Sequence, residues 1–217
     1  MKKIGLVLSG CGVFDGAEIH ESVICMMEIL RQGASYECFA PNQPQHHVIN
    51  HLNGEEMPEN RNVMVEAARI ARGEVTDLAE ADAAGLDALI LPGGFGAAKN
   101  LSDFAFKGSD CQVSRELTAL VKAMHEAGKP VGFVCIAPVM IPKILGPGVS
   151  LTIGSDQETA AAITAMGGEH KACSVSEFVV DEAHKIVSTP AYMLAGNILE
   201  AESGIKKLVQ EVLRLSA

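Results

Sequence analysis

The sequence predicts a doubly wound α/β fold, a mostly parallel sheet with helices on both faces. Two observations carry this. Short apolar runs of strand type alternate with stretches of helical apolar spacing along all 217 residues. Apolar residues make up 48% of the chain and aromatics only 4%, so Ala, Val, Ile, Leu and Met must fill the layers between helices and sheet. No Gly/Ser-rich or Pro-rich linker, repeat or low-complexity tract interrupts the alternation. The chain therefore reads as one domain, 1–217, with an irregular insertion at 41–62.

Residues 4–8 make a buried first strand, and a Gly-rich turn follows. The spacing of Ile19, Val23, Met26, Met27 and Leu30 predicts a helix closed at Gly33. Residues 35–40 read as a second strand. After the polar insertion, Val63, Ala67 and Ile70 mark a helix ending near Gly73. The run 86–91 is of the fully buried strand type and stops at Pro92-Gly93-Gly94. Val113, Leu117, Leu120, Val121 and Met124 share one face of the next helix, which Gly128-Lys129-Pro130 ends. A short strand at 131–134 runs directly into a turn and a Pro-bearing helical segment. Ser155-Asp156-Gln157-Glu158 has capping-box spacing and opens an Ala-rich helix closed by Gly167-Gly168, after which a further strand is expected. Residues 178–181 and 185–188 read as a hairpin or as adjacent strands, and 194–213 as a long amphipathic helix. In such a sheet ligands gather at the carboxyl ends of the strands, where the loops after 4–8, 86–91 and 131–134 converge.

The formal net charge of −10 repels phosphate backbones and anionic membrane surfaces, and no cluster of Lys and Arg overrides it. Neither nucleic acid nor a membrane is an expected partner, and the first apolar run is too short for a secretory signal or a membrane span. Cys11, Cys25, Cys38, Cys111, Cys135 and Cys173 include no C-x-x-C pair, so no zinc knuckle or compact disulfide framework is expected. Reduced thiols in the cytoplasm fit this pattern. His46, His47 and His51 lie in the polar insertion, where His47 and His51 would share a face if the stretch were helical; no third anchor for a metal is visible, and no metal site is assigned.

The loop at 9–16 sets Gly10, Gly12 and Gly16 between a strand and a helix, as a dinucleotide site does. Its third glycine comes one position late, and no ribose-binding acid ends the second strand, so no nicotinamide cofactor is expected. Just beyond it, Glu18 and Glu21 can share one helical face at the positive end of the helix dipole, aimed into the crevice. The loop at 93–100 lacks the Gly-Lys-Ser/Thr ending of a phosphate-binding loop. Gly93 and Gly94 there form either a plain turn or a nest whose N–H groups stabilise an oxyanion.

The third loop is the most informative. Gly132-Phe133-Val134-Cys135-Ile136-Ala137-Pro138 passes from a buried strand into a helical start with the cysteine at the junction, the pattern of a nucleophile elbow. Ala137 permits a tight turn, Pro138 is tolerated in a first helical turn, and unpaired N–H groups there are expected to favour the thiolate. Phe133 departs from the small residue of the hydrolase version. A buried, inert thiol is the competing reading of any single cysteine.

Leu-Pro-Gly-Gly-Phe-Gly at 91–96 and Gly-Phe-Val-Cys-Ile-Ala-Pro at 132–138 resemble the PfpI-like branch of the flavodoxin-like class I glutamine amidotransferase-like superfamily. Ser9-Gly10-Cys11-Gly12, Glu18-Ile19-His20-Glu21, Ile49-Asn50-His51-Leu52, 94–101 and Thr189-Pro190-Ala191-Tyr192-Met193 extend the likeness to the ElbB proteins over nearly the whole chain. Those proteins are described as glyoxalases or as isoprenoid-biosynthesis proteins with an amidotransferase-like domain. The resemblance implies a nucleophile at Cys135 and a partner carboxylate at Glu21, with Glu18 as the competing choice. It implies a third member at His170, after Gly167-Gly168, since Ile136 stands where some members carry a histidine. It also implies a homodimer. The late His-x-Glu pair of true amidotransferases is missing, which disfavours glutamine hydrolysis.

The function expected from these features is cofactor-free conversion of a small 2-oxoaldehyde, glyoxal or methylglyoxal, to its hydroxy acid. Cys135 would attack the aldehyde, Glu21 would move protons, and N–H groups near Gly94 and Ile136 would hold the oxyanion. Two rivals use the same cysteine: a non-enzymatic redox-responsive regulator or binding protein, and a hydrolase or deglycase for a larger substrate.

Overall fold

The computed structural model describes residues 1–217. In chain order the elements are β1 (Lys3–Val7), α1 (Ile19–Arg31), β2 (Ser35–Ala40), α2 (Val63–Ile70), β3 (Val75–Asp77), β4 (Ala88–Leu91), α3 (Phe95–Lys99), α4 (Phe104–Lys107), α5 (Arg115–Glu126), β5 (Val131–Val134), α6 (Ile141–Leu145), β6 (Ser150–Leu151), α7 (Gln157–Ala165), β7 (Glu169–His170), β8 (Val179–Asp181), β9 (Ile186–Thr189) and α8 (Ile198–Leu215). Seven strands form one sheet in the order β3-β2-β1-β4-β5-β9-β8, parallel throughout except for β8, which runs antiparallel to β9. This is the doubly wound sheet the alternation predicts. The order reverses direction at β1, which pairs with both β2 and β4, so loops after β1 and β4 open into one crevice.

The period of two along each strand sends alternate side chains into two separate cores. Ile4, Leu6, Ala88, Ile90 and Val134 pack beneath α1 and α8, with Ile24, Ile29, Ile205, Leu208 and Val212 among their partners. Val7, Leu89, Leu91, Val131 and Phe133 face the other way, against Leu117, Val121 and Met124 of α5 and Ile141 and Ile144 of α6. Helices therefore cover both faces, as the aliphatic composition requires. No helix is long and apolar enough to cross a membrane.

Four expectations change. The three-residue β3 at the sheet edge escaped the sequence because it has no alternating run. The strand expected after Gly167-Gly168 is β7, only two residues long, and it pairs with β6 in a separate two-stranded sheet. The cap of α7 is Asp156, whose side chain accepts the Thr159 N–H, and not Ser155. In α1 only Met26 of the stripe that announces the helix is buried. Ile19, Val23 and Leu30 are exposed, while Glu21, Ser22, Cys25 and Glu28 are buried with Ile24 and Ile29. The period identified the helix correctly, but contact with the neighbouring loops turns its acidic face inward.

The insertion at 41–62 contains no helix; isolated bridges Pro44–Asn62 and Ile49–Glu56 hold it as an irregular excursion. Asn100 clamps it to the crevice loops. Its Nδ2 donates to Ser9 O and Asp15 O, both at 2.9 Å, and its Oδ1 accepts the His46 N–H at 3.0 Å. The first loop is equally tight: a Cβ at Gly16 would lie 2.3 Å from Cys11 N and 2.8 Å from Gly10 C. Gly16→Ala must therefore shift backbone and is expected to lose about 2–3 kcal/mol in urea unfolding. Gly85→Ala, which meets nothing within 4 Å, should stay within about 0.5 kcal/mol of the parent. Equal midpoints for the two variants would refute the close approach at Gly16.

Candidate active site

Cys135 follows β5 directly and adopts φ 61°, a left-handed conformation costly to a residue with a Cβ, by about 1–2 kcal/mol. Its N–H still donates to Thr189 O of β9 at 3.0 Å, so the sheet anchors one side of the turn. The chain then enters a 3₁₀ turn, Ala137–Met140, with Pro138 in the first positions where no N–H is needed. This is the elbow geometry the local sequence predicts. It presents the sulfur at the crevice floor, and Cys135 is only 7% exposed.

Glu21 lies directly behind that sulfur, in the first turn of α1 and fully buried. The Cys135 thiol is the side-chain neighbour of its carboxylate. Gly93 N–H donates to Oε2 at 2.9 Å and Tyr192 N–H to Oε1 at 3.2 Å. Gly93 has no room for a side chain, since a Cβ would sit 2.4 Å from Cys135 Cβ and 2.8 Å from Glu21 Oε2. Ala191, at φ 43°, is the second residue here in left-handed backbone, and it immediately precedes the Tyr192 N–H that reaches the carboxylate. Glu18 is the cap of α1, accepting the Glu21 N–H at 2.7 Å. It sets the position of Glu21 and does not take its place against the thiol.

Burial, and next the charge of Glu18, push the Glu21 carboxyl up to about 7. Burial and then the neighbouring Glu21 also push the Cys135 thiol well above its usual value. The Gly94 and Ile136 N–H groups aim at the sulfur and pull the other way, but burial prevails. The expectation of a resting thiolate is thereby corrected: the N–H groups are present, yet they do not offset removal from water and a carboxylate on the far side. The resting state is a thiol beside a carboxyl group that titrates near neutrality.

The other expected residues separate clearly. Gly94, at φ 91°, and Ile136 line the crevice, and Gly93 supports Glu21 from below. Gly10, at φ 115°, serves the turn, packed against Gly16, and does not line the crevice. His170 is not brought to the sulfur. It lies in β7, pairs with Leu151, and its Nε2 accepts the Ile153 N–H at 3.4 Å. The loop between α7 and β7 carries it off the main sheet, which spacing after a Gly-Gly cannot reveal. His51 uses both ring nitrogens, Nδ1 on Ile49 O at 3.0 Å and Nε2 on Phe14 N–H at 3.2 Å, to fasten the insertion. Two further residues at the site carry no signal of that role in the sequence: Tyr192, which lines the crevice, and His20, whose Nδ1 lies 2.8 Å from the Tyr192 hydroxyl. Both sit in segments that carry the family resemblance, and only the fold joins them.

The crevice has a volume of about 380 Å³ and mostly apolar walls. No family model matches the chain. Along 99% of its length, however, it is 48% identical to the human glutamine amidotransferase-like class 1 domain-containing protein 3, mitochondrial, covering 83% of that protein. The chain belongs to the glutamine amidotransferase-like class 1 domain family. Within that family a crystal structure from Ehrlichia chaffeensis, described as an isoprenoid biosynthesis protein with amidotransferase-like domain, superposes with a TM-score of 0.93 at 35% identity, covering 99% of both chains. The glyoxalase III of Candida albicans shares the fold, with a TM-score of 0.63 at 14% identity over 99% of this chain and 97% of that one. The amidotransferase-like chain described here thus keeps its cysteine at the elbow of a fold that includes enzymes, with a carboxylate and no histidine as its side-chain neighbour.

Because Glu21 binds its proton more tightly in the folded chain, folding takes up a proton between the usual carboxylate value and about 7. Stability is greatest below that window and falls as pH rises through it, by about 3 kcal/mol in all. In urea unfolding the wild type should weaken from pH 5 to pH 8 relative to Glu21→Gln by most of this amount. A pH-independent difference between the two proteins would remove the raised carboxyl.

Proposed function

We propose that this protein is a cofactor-independent glyoxalase of the ElbB type, converting a 2-oxoaldehyde and water to a 2-hydroxy acid. The single observation that supports this reading is the buried thiol–carboxylate pair. Glu21, titrating near neutrality, is matched to accept the thiol proton as sulfur adds to the aldehyde. The new C–S bond leaves a hemithioacetal whose oxygen takes that proton back from Glu21, which restores the carboxylate. The same carboxylate then removes the hydrogen on that carbon and returns it to the adjacent carbon through an enediol, leaving a hydroxyacyl thioester. Water cleaves the thioester, releasing the acid and restoring the thiol. The Gly94 and Ile136 N–H groups stabilise the oxygen charge as it develops. Neither a histidine nor glutathione enters this sequence, and the shift is internal to the substrate, so no external oxidant or reductant is needed.

The reducing cytoplasm is the proposed setting, and two copies of the chain the proposed assembly. A link to isoprenoid biosynthesis, named for the Ehrlichia relative, enters as removal of reactive aldehydes. The rival reading as a peroxide-responsive regulator finds less support, because a thiol pushed upward offers little thiolate to an oxidant.

With metal-free protein and no glutathione, Cys135→Ala is expected to lower hydroxy-acid formation by about 10³-fold or more and Glu21→Gln by about 10²-fold. His170→Ala should stay within about twofold of the parent. The wild-type kcat/KM should rise with pH through an apparent value of about 7, as Glu21 loses its proton. Undiminished turnover in Cys135→Ala would end this reading.

A further inference from the structure

The crevice above Cys135 is roomier than a small oxoaldehyde needs, and its lining carries an acid and no cation. Its 380 Å³ leave room for roughly a dozen water-sized groups, whereas methylglyoxal has only about five non-hydrogen atoms. Val13, Phe95, Phe104, Ile136 and Met193 supply apolar walls. No Lys, Arg or His lines the space, and its one charged group is Asp156 at the solvent-facing rim. Asp156 Oδ1 accepts the Thr159 N–H at 2.8 Å, and the hydrogen bonds from Thr159 hold the carboxyl below the usual range, so it is ionised. Lys99 lies over the Phe95 ring, but its Nζ donates to Phe14 O at 2.9 Å and it does not join the lining. Behind the sulfur stands the second carboxylate, Glu21. A phosphate, diphosphate or carboxylate group would enter between two acids with no cation to neutralise it.

We propose that the crevice selects neutral aldehydes carrying an apolar group of roughly six to eight carbons, with Asp156 at its rim turning away anionic ones. This deepens the reading of Cys135 as the nucleophile toward an aldehyde and rests on it. The apolar walls hold the side group by burial, leaving the carbonyl end at the sulfur. Ordinary glyoxal and methylglyoxal fill only the floor of the space. Phosphorylated metabolites are excluded by the same lining that accepts an aryl or branched alkyl group.

The test labels Cys135 and does not depend on turnover. Iodoacetamide, N-phenyl-iodoacetamide and iodoacetate are reacted with the full chain, and each rate is divided by the rate with free N-acetylcysteine at the same pH. Modification at Cys135 is followed by peptide mass. The phenyl reagent is expected to be about tenfold faster than iodoacetamide and iodoacetate about tenfold slower. In Asp156→Asn, which keeps a good helix cap, the iodoacetate-to-phenyl rate ratio should rise about threefold. A phenyl reagent no faster than iodoacetamide overturns the apolar selection. An unchanged ratio in Asp156→Asn overturns the role of the rim carboxylate. Turnover of phenylglyoxal, methylglyoxal and 4-carboxyphenylglyoxal then separates the two readings. The expected labelling with no hydroxy acid from any aldehyde removes the glyoxalase assignment and leaves the selectivity standing, whereas turnover without that labelling pattern removes the selectivity alone.

Discussion

The pairing of the Cys135 thiol with the buried Glu21 carboxylate is the contact on which the rest of the site depends. A carboxylate taken out of water is costly unless its oxygens are satisfied, and here two backbone N–H groups do so, one on each oxygen, with the thiol beside them. Each of those donors imposes a constraint elsewhere. Gly93 must lack a side chain to bring its N–H in, and Ala191 holds left-handed backbone just before the Tyr192 N–H. Cys135 itself sits in left-handed backbone to offer the sulfur. Three loops from three strands are thus fixed by one side chain of α1.

That arrangement stores a proton, not a thiolate. Elbow cysteines at helix starts are often activated in the resting state, and the N–H groups of Gly94 and Ile136 are placed for it. Burial and an acidic neighbour outweigh them. The sulfur gains nucleophilic character only as its proton passes to Glu21, which couples bond formation to proton transfer in the proposed reaction. The same N–H groups are then free to act on the oxygen of an adduct, where charge appears later.

The polar residues around the crevice divide into those that face it and those that build it. Asn100 ties the first loop to the insertion, Asp15 Oδ2 accepts the Ile49 N–H at 2.7 Å, and His51 spans Phe14 and Ile49. These residues satisfy backbone groups in a segment with no regular structure of its own. Histidines in such a stretch look like ligands in the sequence, yet for His51 the hydrogen bonds leave no free nitrogen. The lining itself is mostly apolar, with Thr159 and Tyr192 beside the cysteine and one acid at the rim.

Much of this was legible without coordinates. Alternating apolar runs and Gly-Pro breaks determined the doubly wound sheet, because strand and helix periods are local properties of the chain. The strand-cysteine-small-Pro pattern determined the elbow at 131–138, because the turn is made by neighbours in sequence. Tertiary structure alone decided which acid faces the sulfur, since Glu18 and Glu21 share one helical turn and differ only in which one caps it. It alone set His170 on a separate two-stranded sheet and brought Tyr192, 171 residues away, to Glu21. The proton state of the thiol was also beyond the sequence: local N–H groups argued for ionisation, and burial, which depends on every layer packed around the site, reversed it.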